Sequence, residues 1–130
     1  MKRAYDFLKE CGTFYIATTD ADQPKVRPFG AVAMYEGRMY FCTSNQKDVF
    51  AQMKKNVNVE ICCSKNGEWL RLSGKTVFNS TAGAQAAMLE ENPNLKRMYS
   101  VGDGIFEVFY IDDACAVIRS FAGRNDIIRF

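Results

Sequence analysis

The segment 57-VNVEICCSKNGEWLRLSGKTVF-78 decides the class of fold. Asn66-Gly67 sits between two runs rich in β-branched and apolar residues. A type I′ turn needs positive φ at both central positions, which Asn and Gly adopt at little steric cost. The pair therefore predicts a two-residue hairpin with strands over 57–64 and 68–78, and an antiparallel sheet around it.

Upstream, 13-TFYIATT-19, the long run 25-KVRPFGAVAMY-35 and 38-RMYFCTS-44 are separated by the polar stretch 20-DADQP-24 and by Glu36-Gly37, which predicts a three-stranded meander. Two amphipathic helices are expected around it. In 2-KRAYDFLKEC-11, Ala4, Phe7, Leu8 and Cys11 fall at i, i+3, i+4 and i+7 before Gly12. In 46-QKDVFAQMKKN-56, Val49, Phe50 and Met53 share a face, with Asn45 as the expected cap and Asp48 in the first turn. Downstream, 80–100 reads as two short helices broken near Asn92-Pro93. Strands resume over 105-IFEVFYI-111, a turn at Asp112-Asp113, 114-ACAVIRSF-121 and 127-IIRF-130. Seven or eight short strands with segregated helices predict a mainly β fold, an antiparallel barrel with helices attached.

The 130 residues contain no linker or repeat, so one domain spanning 1–130 is expected. A chain of this size buries roughly two-thirds of its unfolded surface, enough for a core without disulfides. Apolar runs such as 29-FGAVAM-34 fall far short of the ~20 residues of a membrane-spanning helix, and the charged N-terminal stretch does not read as a secretory signal. Five cysteines without C-x-x-C spacing read as reduced, mostly buried thiols of a cytoplasmic protein. Cys62 and Cys63, adjacent on a strand, are expected on opposite faces. Seventeen Lys and Arg against fifteen Asp and Glu, interspersed, give no footprint for nucleic acid or an anionic membrane. The chain has no histidine, which removes Ser-His and Cys-His pairings and the commonest metal ligand. Catalysis then requires an imported cofactor, or carboxylate, Lys, Tyr or Cys groups.

One corner of the chain offers the parts of an anion site. The third strand delivers Thr43 and Ser44 into a helix start with Lys47 beside it, which brings hydroxyls, free backbone N–H groups and an ammonium together. Arg27, on the run expected to lie next to that strand, can reach the same anion through two N–H groups. Strand-to-helix corners with hydroxyls are common, so on residue type alone the favoured reading is that Thr43 and Ser44 end a strand and Lys47 is a solvated helix residue.

The ordered set Ala17-Thr18, Asp20, Pro24, Val26-Arg27-Pro28, Tyr40-Phe41, Thr43, Lys47, Asn56 and Gly74 resembles the pyridoxamine 5′-phosphate oxidase-like flavoproteins across residues 5–120. The resemblance implies an FMN-binding split β-barrel. By position, Arg27, Thr43, Ser44 and Lys47 match residues that hold the FMN phosphate and ribityl chain, and Pro28, Phe29 and Gly30 match the strand beside the flavin ring. Trp69 matches a flavin-contacting side chain and Arg71 follows it on the same face, each with the alternative of an interface aromatic or a surface ion pair. Tyr110 and Arg119 fall on strands that approach the cofactor from a partner subunit. Gln23 replaces the usual glycine of the first turn. The chain also lacks the Arg/His-rich C-terminal segment that grips substrate phosphate in true pyridoxamine-phosphate oxidases, so that oxidation is not the expected activity. The expectation is a homodimer with FMN at the interface, reducing a small nitroaromatic or quinone-like acceptor with a nicotinamide donor, in the manner of a nitroimidazole reductase. The alternatives left open are flavin binding without turnover, and a split barrel that binds another anionic ligand such as haem.

Overall fold

The structure, a computed structural model, describes residues 1–130. Helix α1 (Lys2–Cys11) leads into β1 (Phe14–Asp20), β2 (Gln23–Phe29), β3 (Val32–Tyr35) and β4 (Arg38–Ser44). Helix α2 (Asp48–Lys55), β5 (Asn58–Lys65) and β6 (Glu68–Phe78) follow. Helix α3 (Ala82–Glu91), a 3-10 turn (Pro93–Arg97), β7 (Phe106–Ser120) and β8 (Asn125–Arg129) complete the chain. All strand pairings are antiparallel.

The central hairpin forms as its sequence predicts: Lys65 pairs with Glu68, with φ of 50° at Asn66 and 75° at Gly67. Its two strands sit in the middle of a sheet ordered β2-β1-β5-β6-β7-β4-β3, with β8 added to β7. Phe14, Ile16, Phe41, Leu70, Leu72 and Phe109, all fully buried, form the centre of the main core. Phe7 and Leu8 of α1 join it, as the helical spacing predicts. A smaller cluster under α3 joins Ala84, Met88 and Leu89 to Tyr40, Phe106 and Val108.

Three expectations are corrected. The run 25–35 is not the middle of a meander. It breaks at Gly30-Ala31, so β2 pairs with β1 at one end of the sheet while β3 pairs with β4 at the other. No ladder joins β2 to β3, the barrel stays split along this seam, and Arg27 is not on a strand neighbouring Thr43. Second, Asp112-Asp113 does not reverse the chain. Both residues are exposed inside one continuous β7, φ of Asp113 is 50°, and the inward phase passes from Phe109 and Ile111 to Ala114, Ala116 and Ile118. The register against β6 shifts between Ser73 and Lys75, the signature of a bulge. Gly74 is required there, because a Cβ would collide with the Ile111 side chain and lie 2.7 Å from the Asp112 carbonyl oxygen. Third, Asn45 does not cap α2. Its amide Nδ2 donates to the Gly104 carbonyl at 2.8 Å, tying the corner to the approach of β7, and Lys47 takes the cap position.

All five cysteines are free thiols, but only Cys63 is buried, not most of them. Cys62 is exposed, on the opposite face from Cys63 as expected. No helix is long and apolar enough to cross a membrane.

Candidate functional site

The seam between β2 and β4 opens into a cavity of about 450 Å3. Arg27, Pro28, Phe29, Gly30 and Ala31 form one wall, and Cys42 and Thr43 of β4 form another, with Lys47 at the corner. The third wall is the end of α3 and the 3-10 turn, including Asn92, Leu95 and Tyr99. Six residues matched to FMN contacts, Arg27, Pro28, Phe29, Gly30, Thr43 and Lys47, are therefore brought together even though their strands lie at opposite ends of the sheet.

Arg27 is held by neutral groups only. Its Nη1 donates to Thr18 Oγ1 at 2.7 Å and its Nη2 to Gln52 Oε1 at 2.5 Å, while the Thr18 hydroxyl donates to the same Gln52 oxygen at 2.6 Å. Burial pulls the guanidinium below its ordinary pKa, and the charge of Asp48 only partly offsets this. A half-buried cation without a carboxylate partner is costly, and a bound anion relieves that cost. Thr43 adds a second demand. It is 4% exposed, and its Oγ1 is a buried side-chain polar atom with no hydrogen-bond partner. Such atoms are rare in native interiors and call for an explanation. No side chain caps α2, so its first-turn N–H groups face the same corner without a protein acceptor from a side chain. Cation, hydroxyl and N–H donors fit a phosphate monoester with a polyol chain.

The cavity also holds a thiol, a phenol and a carboxylate. Burial pushes the Cys42 thiol up to about 12 despite Lys47 nearby, so it is neutral and a poor nucleophile. Burial also raises the Tyr99 phenol, whose ring stacks on Phe106 at 4.7 Å. Glu91 Oε2 accepts from the Tyr5 hydroxyl at 2.6 Å and Oε1 from the Met34 amide at 3.2 Å. The positive charge of Arg27 and Lys47 thus dominates the β2–β4 side.

The remaining candidates are not among the residues lining the cavity. Ser44 is buried next to Thr43, and its Oγ accepts from the Gln46 amide at 3.1 Å. Trp69 and Arg71 do share a face, but they line a separate depression of about 210 Å3 with Ser73, Cys115 and Arg119 on the outer side of β6 and β7. Arg71 donates to Glu60 Oε2 through Nε at 2.8 Å and Nη2 at 2.6 Å, the surface ion pair kept as its alternative. Tyr110 packs edge-on to Tyr40 and under the Arg38 guanidinium, away from the seam.

The model of the Pyridoxamine 5′-phosphate oxidase family matches residues 1–111.

The chain belongs to the pyridoxamine 5′-phosphate oxidase family.

Its fold is that family's mainly antiparallel split barrel, with the sheet left unclosed. A NimC/NimA family protein from Clostridium acetobutylicum is 46% identical and superimposes with a TM-score of 0.96 over 100% of this chain and 92% of that one. General Stress Protein 26 from Bacillus anthracis (16% identity, TM-score 0.75, covering 99% and 98%) shares the fold. So does a pyridoxamine 5′-phosphate oxidase-related, FMN binding protein from Nostoc punctiforme (14%, 0.68, 99% and 95%). No curated protein matches the chain.

Sequence reasoning missed Thr18 and Gln52, the pair that fixes Arg27. Gln52 carried a signal, being a polar residue within the Val49, Gln52, Met53 stripe that α2 buries. The wall from Glu91 to Tyr99 carried none, since nothing local places that turn across from β2.

Proposed function

We propose that the seam cavity binds FMN and that the protein is an FMN-dependent oxidoreductase, which reduces a small aromatic acceptor of the nitro or quinone type with a nicotinamide donor. The observation that carries the reading is the pairing of the orphaned Thr43 hydroxyl with an Arg27 guanidinium that has no counter-ion. Arg27, Lys47 and Thr43 would hold the phosphate end, and Pro28 to Ala31 would flank the ring. The bound flavin supplies the hydride and electron transfer that a chain without histidine does not. Thr18 and Gln52 keep the guanidinium aimed, and Leu95, Pro93 and Tyr99 keep water from the opposite wall. Nothing in the cavity offers a poised general base, so the protein's contribution is binding, orientation and positive charge near the cofactor.

The reading includes a homodimer. Trp69 packs at 4.9 Å on Phe121, which is 93% exposed, and Ile127 is half-exposed on the neighbouring strand. Clustered exposed apolar side chains of this kind mark interaction surfaces, and a second copy of the chain is the occupant this reading places there. Five free thiols support a reducing, cytoplasmic setting.

The test is steady-state oxidation of a nicotinamide donor by FMN-loaded protein with a nitroaromatic or quinone acceptor. Turnover that is lost when Arg27 and Lys47 are both replaced supports the proposal. Stable FMN binding with no turnover on any donor and acceptor pair would instead assign a flavin carrier.

A further inference from the structure

Past the phosphate corner, on the side away from the ring wall, lies a larger depression of about 760 Å3. It shares Arg27 and Lys47 with the seam cavity and continues outward between β2 and α2. Lys25 and Arg27, two apart on β2, point to one side of the strand. Asp48, Gln52 and Lys55, at i, i+4 and i+7, form the facing stripe of α2. Thr19, Asp20 and Asn56 complete the rim.

Four cations and two carboxylates line this space, and none of the four, Lys25, Arg27, Lys47 or Lys55, takes part in an ion pair. On the FMN reading the cofactor phosphate takes the inner two, Arg27 and Lys47, which leaves Lys25 and Lys55 on the lining of a depression whose volume falls in the 300–1,000 Å3 range of small-molecule sites. No aromatic side chain lines it, so it offers charge and hydrogen bonds rather than a stacking platform.

We propose that this depression is a second anion subsite, gripped by Lys25 and Lys55, for a diphosphate-type group that extends past the cofactor phosphate. The inference rests on the FMN reading of the seam. The diphosphate has two sources, a flavin whose 5′-phosphate is extended, as in FAD, or the diphosphate of a nicotinamide dinucleotide that docks beside bound FMN. The site binds rather than reacts, so no bond is made or broken there.

The variant is Lys25→Gln with Lys55→Gln, two exposed positions outside the seam cavity. FMN and FAD are titrated into flavin-free protein by fluorescence quenching, and NADPH into FMN-loaded protein, at low and at 0.5 M salt. The expected result is FMN affinity within twofold of the unsubstituted protein, with at least a tenfold loss for one diphosphate ligand that shrinks at high salt. Loss for FAD assigns the extended flavin, and loss for NADPH assigns the donor. FMN binding with both diphosphate ligands unaffected by the double substitution overturns the inference alone. Failure of the unsubstituted protein to bind FMN overturns the seam reading and this inference with it.

Discussion

Thr43→Val separates a binding hydroxyl from a structural one. Valine keeps the shape and suits a strand, and it removes a buried Oγ1 that has no partner. Leaving a buried hydroxyl unpaired costs about 1–3 kcal/mol, of which roughly 1 kcal/mol should be recovered when the group is deleted without opening a cavity. For a chain of this size that is a rise of about 3–5 °C in the melting temperature of flavin-free protein. The sign reverses once FMN is present. A hydrogen bond to a charged group contributes about 1.5–3 kcal/mol, so the variant should bind FMN about 10- to 150-fold more weakly. Differential scanning calorimetry with and without FMN, together with a fluorescence titration, reads both effects. A variant less stable than the parent without flavin, with unchanged FMN affinity, would refute the reasoning, because the hydroxyl would then serve the fold.

Replacing Arg27 and Lys47 together by Ala should weaken FMN by at least about 100-fold, since two charge-assisted contacts are lost at ~1.5–3 kcal/mol each; unchanged quenching of FMN fluorescence would remove the phosphate assignment. Gly74→Ala should destabilise the fold by about 1–3 kcal/mol through overpacking against Ile111 and Asp112, seen as a lower urea midpoint at unchanged slope. Asp103 accepts from the Ser100, Ile105 and Phe106 amides, which holds its carboxyl below the usual range. A depressed carboxylate stabilises the fold above its unfolded pKa and loses that contribution as pH falls through its folded pKa. Asp103→Asn should therefore lower the melting temperature at pH 7, with the difference from the parent closing as pH is taken down through the acid range.

The legible parts of the fold were those set by local chemistry. Asn66-Gly67 fixed its own turn, the i, i+3, i+4, i+7 spacing of α1 gave its buried face, and Asn92-Pro93 broke the α3 region where expected. The illegible parts depended on distant partners. Nothing in 25-KVRPFGAVAMY-35 announces that its halves pair at opposite ends of a sheet, because each half reads as strand and only β1 and β4 decide where it goes. Asp112-Asp113 looked like a reversal because two adjacent polar residues fit a turn as well as a bulge, and only the close approach of Gly74 distinguishes them. At the site, Arg27, Thr43 and Lys47 were legible as charge and hydroxyls at a corner. The Thr18–Gln52 clamp, and the separation of Trp69 and Arg71 from the seam, follow from tertiary register.

The central claim is that the split between β2 and β4 holds FMN. The direct measurement is the visible absorption spectrum of the protein incubated with excess FMN and then desalted. The account predicts flavin bands retained at about one FMN per chain, and their loss in the Arg27→Ala, Lys47→Ala double variant. A protein that emerges colourless, with all FMN in the small-molecule fraction, would contradict it.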